Sequence, residues 1–548
     1  MAEKEFIVEM FNNGFEADTK KPSKKPSSSE PVEKTPKNSF RKLFKEFASD
    51  TSFGGISKVS SSDSHLRRFI WLLISTTCYG FTIYMCLQLI ETFLNRPIKT
   101  EVDIVYEKNI DFPSVTVCNL NQYRRSRIRN VSSIDEIIRM YSDAKRNKSD
   151  GSNFENSINK QKRAFKKEFN NDVDDDDEGD ISDDNIEIDE DFIIEELVAI
   201  RSADYDLEDL KKAGHQFNTI LSCTWRGFNC KEGYFEKFWV QSWNWKYGNC
   251  FTFNPGAKKS GGPLTVFRTS KPGPYYGLTL EMNIEQQEYV NELTDEAGAI
   301  VIIHRAKQIP FPYDEGITVP PGFSSSIAIR KETIIRADPF KNGSCNPSTH
   351  LSTDNIYSSY LNGSASLYSV KACMQSCLAR AQLDKCKCAD PKYANFIDRI
   401  CDETELDCMH NVSNSFKENR LGCNERCPQP CIQHGFRHNL GMSTLTSNAK
   451  ESKKKKDFGD KKGPDFDFDE NFLRVKIFYD ELNLQKIVQS TYYDLWTLLA
   501  DIGGQLGLWI GISIISIAEF GELLVSLCIV AGRKSRTRKT KTSEIELH

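Results

Sequence analysis

Residues 502–530 read IGGQLGLWIGISIISIAEFGELLVSLCIV, apolar except for Gln505, Glu519 and Glu522. As a straight helix this run would extend about 43 Å, more than the roughly 30 Å of hydrocarbon in a bilayer, so it must tilt, break or leave the membrane early. Ala500, Gly504, Gly507 and Gly511 recur at i, i+4, i+7 and i+11. Such a stripe lets helices, or a narrow lumen, approach closely. On an unbroken helix Asp501 and Glu519 would share a face about 27 Å apart, with Glu522 one turn beyond Glu519. Carboxylates at membrane depth cost several kcal/mol unless they face water or a partner, and they mark ion pathways. Repeated by symmetry they would form acidic rings that favour cations. Between them Gly511-Ile512-Ser513 offers backbone carbonyls and a hydroxyl able to replace an ion's hydration shell, the alternative being a kink filled by neighbouring side chains.

A second apolar run, FIWLLISTTCYGFTIYMCLQLI at 69–90, has no charge and is long enough to span. It is preceded by Arg67 and Arg68, while Arg533, Lys534, Arg536, Arg538, Lys539 and Lys541 follow the other span. The positive-inside rule places both termini in the cytoplasm and residues 91–490 outside. Five glycosylation sequons, Asn130, Asn147, Asn342, Asn362 and Asn411, all fall in that middle segment. Of 17 cysteines, Cys78, Cys86 and Cys528 sit in the spans. The remaining even number in an oxidising compartment implies seven disulfides.

The formal charge of −5 hides a segregation. The 1–68 region, with its Lys/Ser/Pro-rich tail, and the 531–548 tail are basic, whereas Asp172 to Glu196 carries fifteen acids and no base. The first tail reads as disordered. The acidic insert at 145–215 reads as a solvated loop. Its Asp174, Asp176, Glu178, Gly179 and Ile181 resemble the start of a calcium loop, but Asn185 stands where a bidentate Glu is needed. Alternation marks strands at 277–284, 299–303, 327–330 and 472–479, and helices are expected at 134–141 and 369–382. The fold class is therefore a membrane protein with two transmembrane helices, 69–90 and 491–530, flanking a large disulfide-rich α+β extracellular domain with a central β-sheet and a cysteine-rich region at 345–431.

No overall basic balance points to nucleic acid, and no cofactor is implied. The eight histidines are scattered, and His434 with His438 reads as a surface pair, so enzyme chemistry has little support. Cys386-Lys387-Cys388, or Cys373 with Cys377, leaves a zinc alternative to the disulfides. A two-span cell-surface receptor would explain the cysteines and sequons, but not the polar face of 502–530.

Phe112-Pro-Ser-Val-Thr-Val-Cys-Asn119, the cysteine-rich middle, and Leu498-Leu-Ala-Asp-Ile-Gly-Gly-Gln-Leu-Gly-Leu-Trp-Ile-Gly-Ile-Ser513 followed by Glu519 resemble the degenerin/epithelial sodium channel family over residues 50 to 530. The resemblance implies a plasma-membrane homotrimer of identical subunits in contact with membrane lipid, with a sodium-selective, amiloride-blocked pore opened by the extracellular domain. It implies that Gly511, Ile512 and Ser513 form the selectivity filter and that Ala500 is the position where bulky side chains hold such channels open, with Asp501, Gly504, Gly507, Glu519 and Glu522 in the pore. Permeant sodium and modulation by extracellular calcium come with it. The order of the cysteines resembles that of the acid-sensing branch and implies Cys118–Cys250, Cys223–Cys230, Cys345–Cys431, Cys373–Cys427, Cys377–Cys423, Cys386–Cys408 and Cys388–Cys401.

The departures concern gating. The family's His-Gly motif before the first span is Gly54-Gly55 here, which keeps only the gating glycine, Gly55. Ile98 stands where acid-sensing channels carry a histidine, and Phe340 is the nearest candidate for their coupling tryptophan. FPSVTVCNLNQY with the arginines at 124, 125, 127 and 129 resembles the FMRFamide-type peptide-gated branch, which implies an extracellular peptide ligand; proton gating and constitutive leak are the alternatives. ATP-gated channels share the two-span layout but lack the Gly-Ile-Ser span.

Overall fold

The computed structural model describes residues 40–51, 54–60, 62, 64–146, 190–231, 235–258, 262–338, 345–358, 360–361, 366–445 and 467–545. Phe340, Asn147, Asn342, Asn362 and the calcium-like loop at 174–185 lie outside them. The chain divides into two units, one of residues 1–94 with 495–548 and the other Asn95–Asp494.

In the first unit, short helices Phe40–Asp50 and Ile56–Ser60 precede a helix His65–Asn95, longer at both ends than its uncharged stretch. Most of its apolar side chains are exposed, as a lipid-facing helix requires. The second hydrophobic segment is not one helix over 491–530. It forms Leu495–Ile510, breaks, and resumes as Ile514–Ile545. His65–Asn95 and Ile514–Ala531 are each apolar and long enough to cross a membrane.

Among its described residues the second unit holds fourteen strands: β1 (Ile98–Tyr106), β2 (Ile110–Asp111), β3 (Ser114–Asn119), β4 (Ile220–Trp225), β5 (Phe228–Asn229), β6 (Trp239–Asn244), β7 (Gly248–Phe253), β8 (Arg268–Thr269), β9 (Leu278–Asn283), β10 (Ala299–His304), β11 (Ile317–Val319), β12 (Phe323–Ile335), β13 (Ile432–Thr444) and β14 (Phe472–Thr491). In place of a single central sheet there are two large ones. A seven-stranded sheet runs β13-β12-β14-β9-β4-β5 with β1 added to β14, and a five-stranded sheet runs β11-β10-β3-β7-β6. Alternation explains the pairing. Leu278, Leu280 and Met282 of β9 and Val475 and Ile477 of β14 turn inward against Val115, Val117, Phe251, Phe253 and Val301 of the other sheet. β12 and β14 pair in parallel while the other neighbours are antiparallel. The 20-residue β14 far exceeds the 472–479 expected of it, because its second half carries no clean alternation.

All seven disulfides form as the resemblance implies. Cys118–Cys250 links β3 to β7 at directly paired positions, and Cys223–Cys230 closes the β4–β5 hairpin. The other five staple residues 345–431 around the helices Val370–Cys386 and Leu406–Lys417. The zinc alternative is thereby overturned, since its cysteines have no free thiolate.

The acidic insert is likewise not solvated throughout. Its C-terminal part folds into Glu190–Ser202, which buries Ile193, Ile194, Leu197 and Val198 against Ile134, Ile137, Ile138 and Tyr141 of the helix Ser132–Arg146. The run of acids masks an apolar face at i, i+1, i+4 and i+5. His434 is half-buried rather than a surface residue: its Nδ1 lies 2.9 Å from Thr333 Oγ1, and burial together with Arg305 and Lys331 lowers it to about 4. His438 is exposed.

Candidate ion-conducting site

The break at 511–513 follows from backbone chemistry. Gly511 has φ +72, a left-handed conformation that ends helices and strongly favours glycine. Its N–H donates to the Gly507 carbonyl at 3.2 Å and that of Ile512 to Leu506 at 3.2 Å, closing the last turn of Leu495–Ile510. Two residues later Ser513 caps the next helix, Ile514–Ile545. The Ser516 N–H donates to Ser513 Oγ at 3.4 Å and the Ser513 N–H donates to Ser516 Oγ at 3.2 Å, a reciprocal cap in which serine takes the part usually played by Glu. The result is a helix C-terminus and a helix N-terminus meeting over three residues, rather than a kink packed with side chains. Ile512 is half-buried, while Gly511 and Ser513 are exposed on the single chain.

Ala500, Gly504 and Gly507 are exposed as well, and a Cβ built on Gly504, Gly507 or Gly511 meets nothing within 4 Å. Along the helix the stripe therefore faces open space. The alignment of Asp501 with Glu519 does not survive, because the break resets the helical phase between them. Asp501 is half-buried and Glu522 exposed, whereas Glu519 accepts a hydrogen bond from Thr51 Oγ1 at 3.2 Å.

Thr51 introduces a contact that sequence reasoning missed. Residues 47–51 and 54 lie against the break and the helix after it: the Gly54 N–H donates to the Ile510 carbonyl at 2.8 Å and Phe47 meets Phe520 edge-on at 6.5 Å. This satisfies one of the four carbonyls that a helix end leaves unpaired. A Cβ on Gly54 would lie 2.2 Å from the Ile510 oxygen, and one on Gly55, whose φ is +85, would lie 2.0 Å from Ser75 Oγ. Both glycines are thus demanded by close approach. Phe81 packs edge-on against Trp509 at 4.6 Å and ties the first span to the helix before the break.

Among the described residues, the cluster with metal-ligand spacing is Cys388, Cys401 and Glu405, whose two sulfurs are bonded to each other. It offers no thiolate to a cation.

The profile of the family described as "Amiloride-sensitive sodium channel" matches residues 47–523. The chain belongs to this sodium channel family. Similar proteins within it include the epithelial sodium channel subunit alpha of Neoceratodus forsteri, 24% identical over 92% of this chain and 83% of the relative. Acid-sensing ion channel 1C of Danio rerio is 27% identical over 87% of this chain and 82% of its own length. Degenerin unc-8 of Caenorhabditis elegans is 29% identical over 60% of this chain and 42% of its own. The protein is a channel and not an enzyme, with a disulfide-rich extracellular domain. Within the channel, the Ser513–Ser516 spacing was available as a capping signal, but the contacts of Thr51 and Gly54 bridge more than 450 residues and leave no local trace.

Proposed function

We propose that the chain forms a homotrimeric, sodium-selective, amiloride-blocked channel of the plasma membrane, with both termini cytoplasmic, opened by an extracellular peptide of RFamide type. The pore part rests chiefly on one observation, the capped break at 511–513, which interrupts the helix and places backbone carbonyls and the capping Ser513 hydroxyl at the junction of two helix ends. Oxygens so placed can stand in for a sodium ion's water. In this reading Gly511, Ile512 and Ser513 select, Ala500 lies at the gate beside Gly504 and Gly507, and Asp501, Glu519 and Glu522 concentrate cations. Gly54 and Gly55 hold the 40–60 segment under the filter.

The trimer is supported by β1, all of whose residues are exposed on the single chain, including Ile104 at 72% and Tyr106 at 66%. Apolar side chains in that number on one strand call for burial against copies of the same surface. Asn130 and Asn411 are exposed, as acceptors of glycans must be. Extracellular calcium would act on the acidic surface as a modulator.

Proton gating is the second reading, favoured by two pairs. His215 Nδ1 lies 3.2 Å from Glu285, and His410 Nε2 lies 3.0 Å from Glu196. Against it, burial lowers His304 to about 4, and His434 is lowered to about 4 as well, so both stay neutral through mild acidification. Recording from cells that express this chain alone tests the choice. A peptide-evoked, amiloride-blocked sodium current is expected, whereas current evoked by acid and never by peptide moves the protein to proton gating.

A further inference from the structure

A cavity of about 240 Å³ opens in the extracellular domain where three parts of the chain meet: the turn between β6 and β7, the 309–314 segment after β10, and the disulfide-stapled 357–396 region. Its walls are aromatic, with Trp245, Phe311, Tyr313, Tyr357, Tyr393 and Phe396 among them. The rings are already set. Phe311 meets Tyr357 at 5.7 Å and 87°, and Tyr357 meets Phe396 at 4.7 Å and 76°, the edge-to-face geometry that aromatic quadrupoles prefer. Tyr357 and Tyr393 are 4% and 1% exposed, so this wall needs no reordering to receive a guest.

Two observations give the chemistry of that guest. The first is size: the volume falls below the roughly 300–1,000 Å³ of sites for whole drug-sized ligands, and suits one aromatic side chain. The second is charge. Lys246 pairs with Glu195 at 2.8 Å, Lys392 with Asp390 at 3.1 Å and Lys371 with Glu315 at 3.2 Å, which leaves Asp314 on the lining with the loosest partner, Lys371 at 4.0 Å. Four carboxylates thus stand against three ammonium groups. Burial raises the Tyr393 phenol well above its usual value, and Asp390 and Asp314 raise it further, so their negative field reaches into the cavity. The rim also accepts cations on its rings, with Lys246 Nζ 4.9 Å from the Tyr313 centroid and Lys392 Nζ 5.1 Å from that of Tyr393.

We propose that this cavity is the anchor site for an extracellular peptide that presents an aromatic side chain next to a guanidinium, the ring entering among Phe311, Tyr357 and Phe396 and the cation meeting Asp314 and the exposed Tyr313 side chain, in competition with Lys246. The choice of peptide rests on the peptide-gated reading above; the aromatic-plus-cation chemistry rests on the cavity. A ring seated there would join the disulfide-rich region to the five-stranded sheet, since Cys250 of β7 also lines the site.

The test uses detergent-purified full-length protein and a fluorescein-labelled peptide ending in Arg-Phe-amide, competed by unlabelled peptides ending in Arg-Phe-amide, Arg-Ala-amide or Gln-Phe-amide. The same unlabelled peptides are applied in recordings. Tyr313 is 59% exposed and Asp314 is exposed, so Tyr313→Ala and Asp314→Asn leave the core intact. Each is expected to weaken peptide binding about ten-fold, and Asp314→Asn to erase the preference for Arg over Gln. Tyr275→Ala, at an exposed ring outside the cavity, should change neither. Unchanged affinity in both rim variants, or no binding to the unmutated protein, overturns the proposal. Binding with the expected requirements but without current supports the cavity and rejects peptide gating. Peptide-evoked current with the same half-activating concentration in both variants rejects the cavity and leaves peptide gating in place.

Discussion

Single residues decide the account at the break. Ala500 is exposed on the stripe that faces open space, so Ala500→Cys modified with a bulky thiol reagent is expected to lock sodium current on. A functional channel whose current is indifferent to the reagent removes the gate from this position. Gly54 makes a sharper prediction because its Cβ would lie 2.2 Å from a backbone oxygen that cannot move independently of its helix. Gly54→Ala should break the bond to Ile510 and alter the sodium-to-potassium permeability ratio at unchanged surface expression. Gly80→Ala, at a site with nothing within 4 Å, should leave the ratio as it was. The stripe and the Gly-Ile-Ser segment were readable from residues alone, whereas the length of the run left tilt, break and early exit from the membrane open, and the break is what the structure adds. The partner of Gly54 was not, because a glycine that permits close approach looks the same in sequence as one that permits a turn.

At the scale of elements, the five-stranded sheet carries a pH-dependent stability. His304 sits at the end of β10 with Nε2 2.8 Å from Thr116 Oγ1 and Nδ1 3.1 Å from the Arg305 carbonyl, an arrangement suited to the neutral ring. Burial lowers it to about 4, below the roughly 6.5 of a free histidine. Between those values the unfolded chain takes up a proton that the folded chain refuses. Stability present above pH 6.5 is therefore lost as pH falls toward 4, on the order of 3 kcal/mol from this residue. Thermal unfolding of the purified protein from pH 7 to pH 4 should show the slope, and His304→Gln should flatten it. The Cys118–Cys250 bridge closes a 132-residue separation between β3 and β7. Replacing both cysteines with serine is expected to lower stability by about 2–5 kcal/mol and reduce delivery to the cell surface. Strand positions were legible where apolar residues alternate, as in β9 and β10. The second half of β14, and the helix Glu190–Ser202 hidden under acidic residues, were not, since tertiary burial and not local pattern selects them.

For the whole molecule, the arrangement of two apolar segments around a disulfide-rich domain followed from charge flanks, sequons and cysteine parity, and the family profile spanning residues 47–523 agrees with it. The number of copies is a matter of surfaces, and β1, exposed along its whole length, is one that the proposed trimer would cover. Cross-linking of the intact protein in membranes should stop at three copies, and Ile104→Lys should reduce the trimer.

The central claim is a sodium-selective pore opened by peptide at a break held by Gly511 and Ser513. Its most direct test is the reversal potential of the current evoked by an Arg-Phe-amide peptide in cells expressing this chain alone, measured while external sodium is replaced by an impermeant cation. The account predicts an amiloride-blocked current whose reversal follows the sodium gradient, with that dependence weakened in Ser513→Ala. A current that reverses with the potassium or chloride gradient, or whose selectivity ignores Ser513, would contradict it.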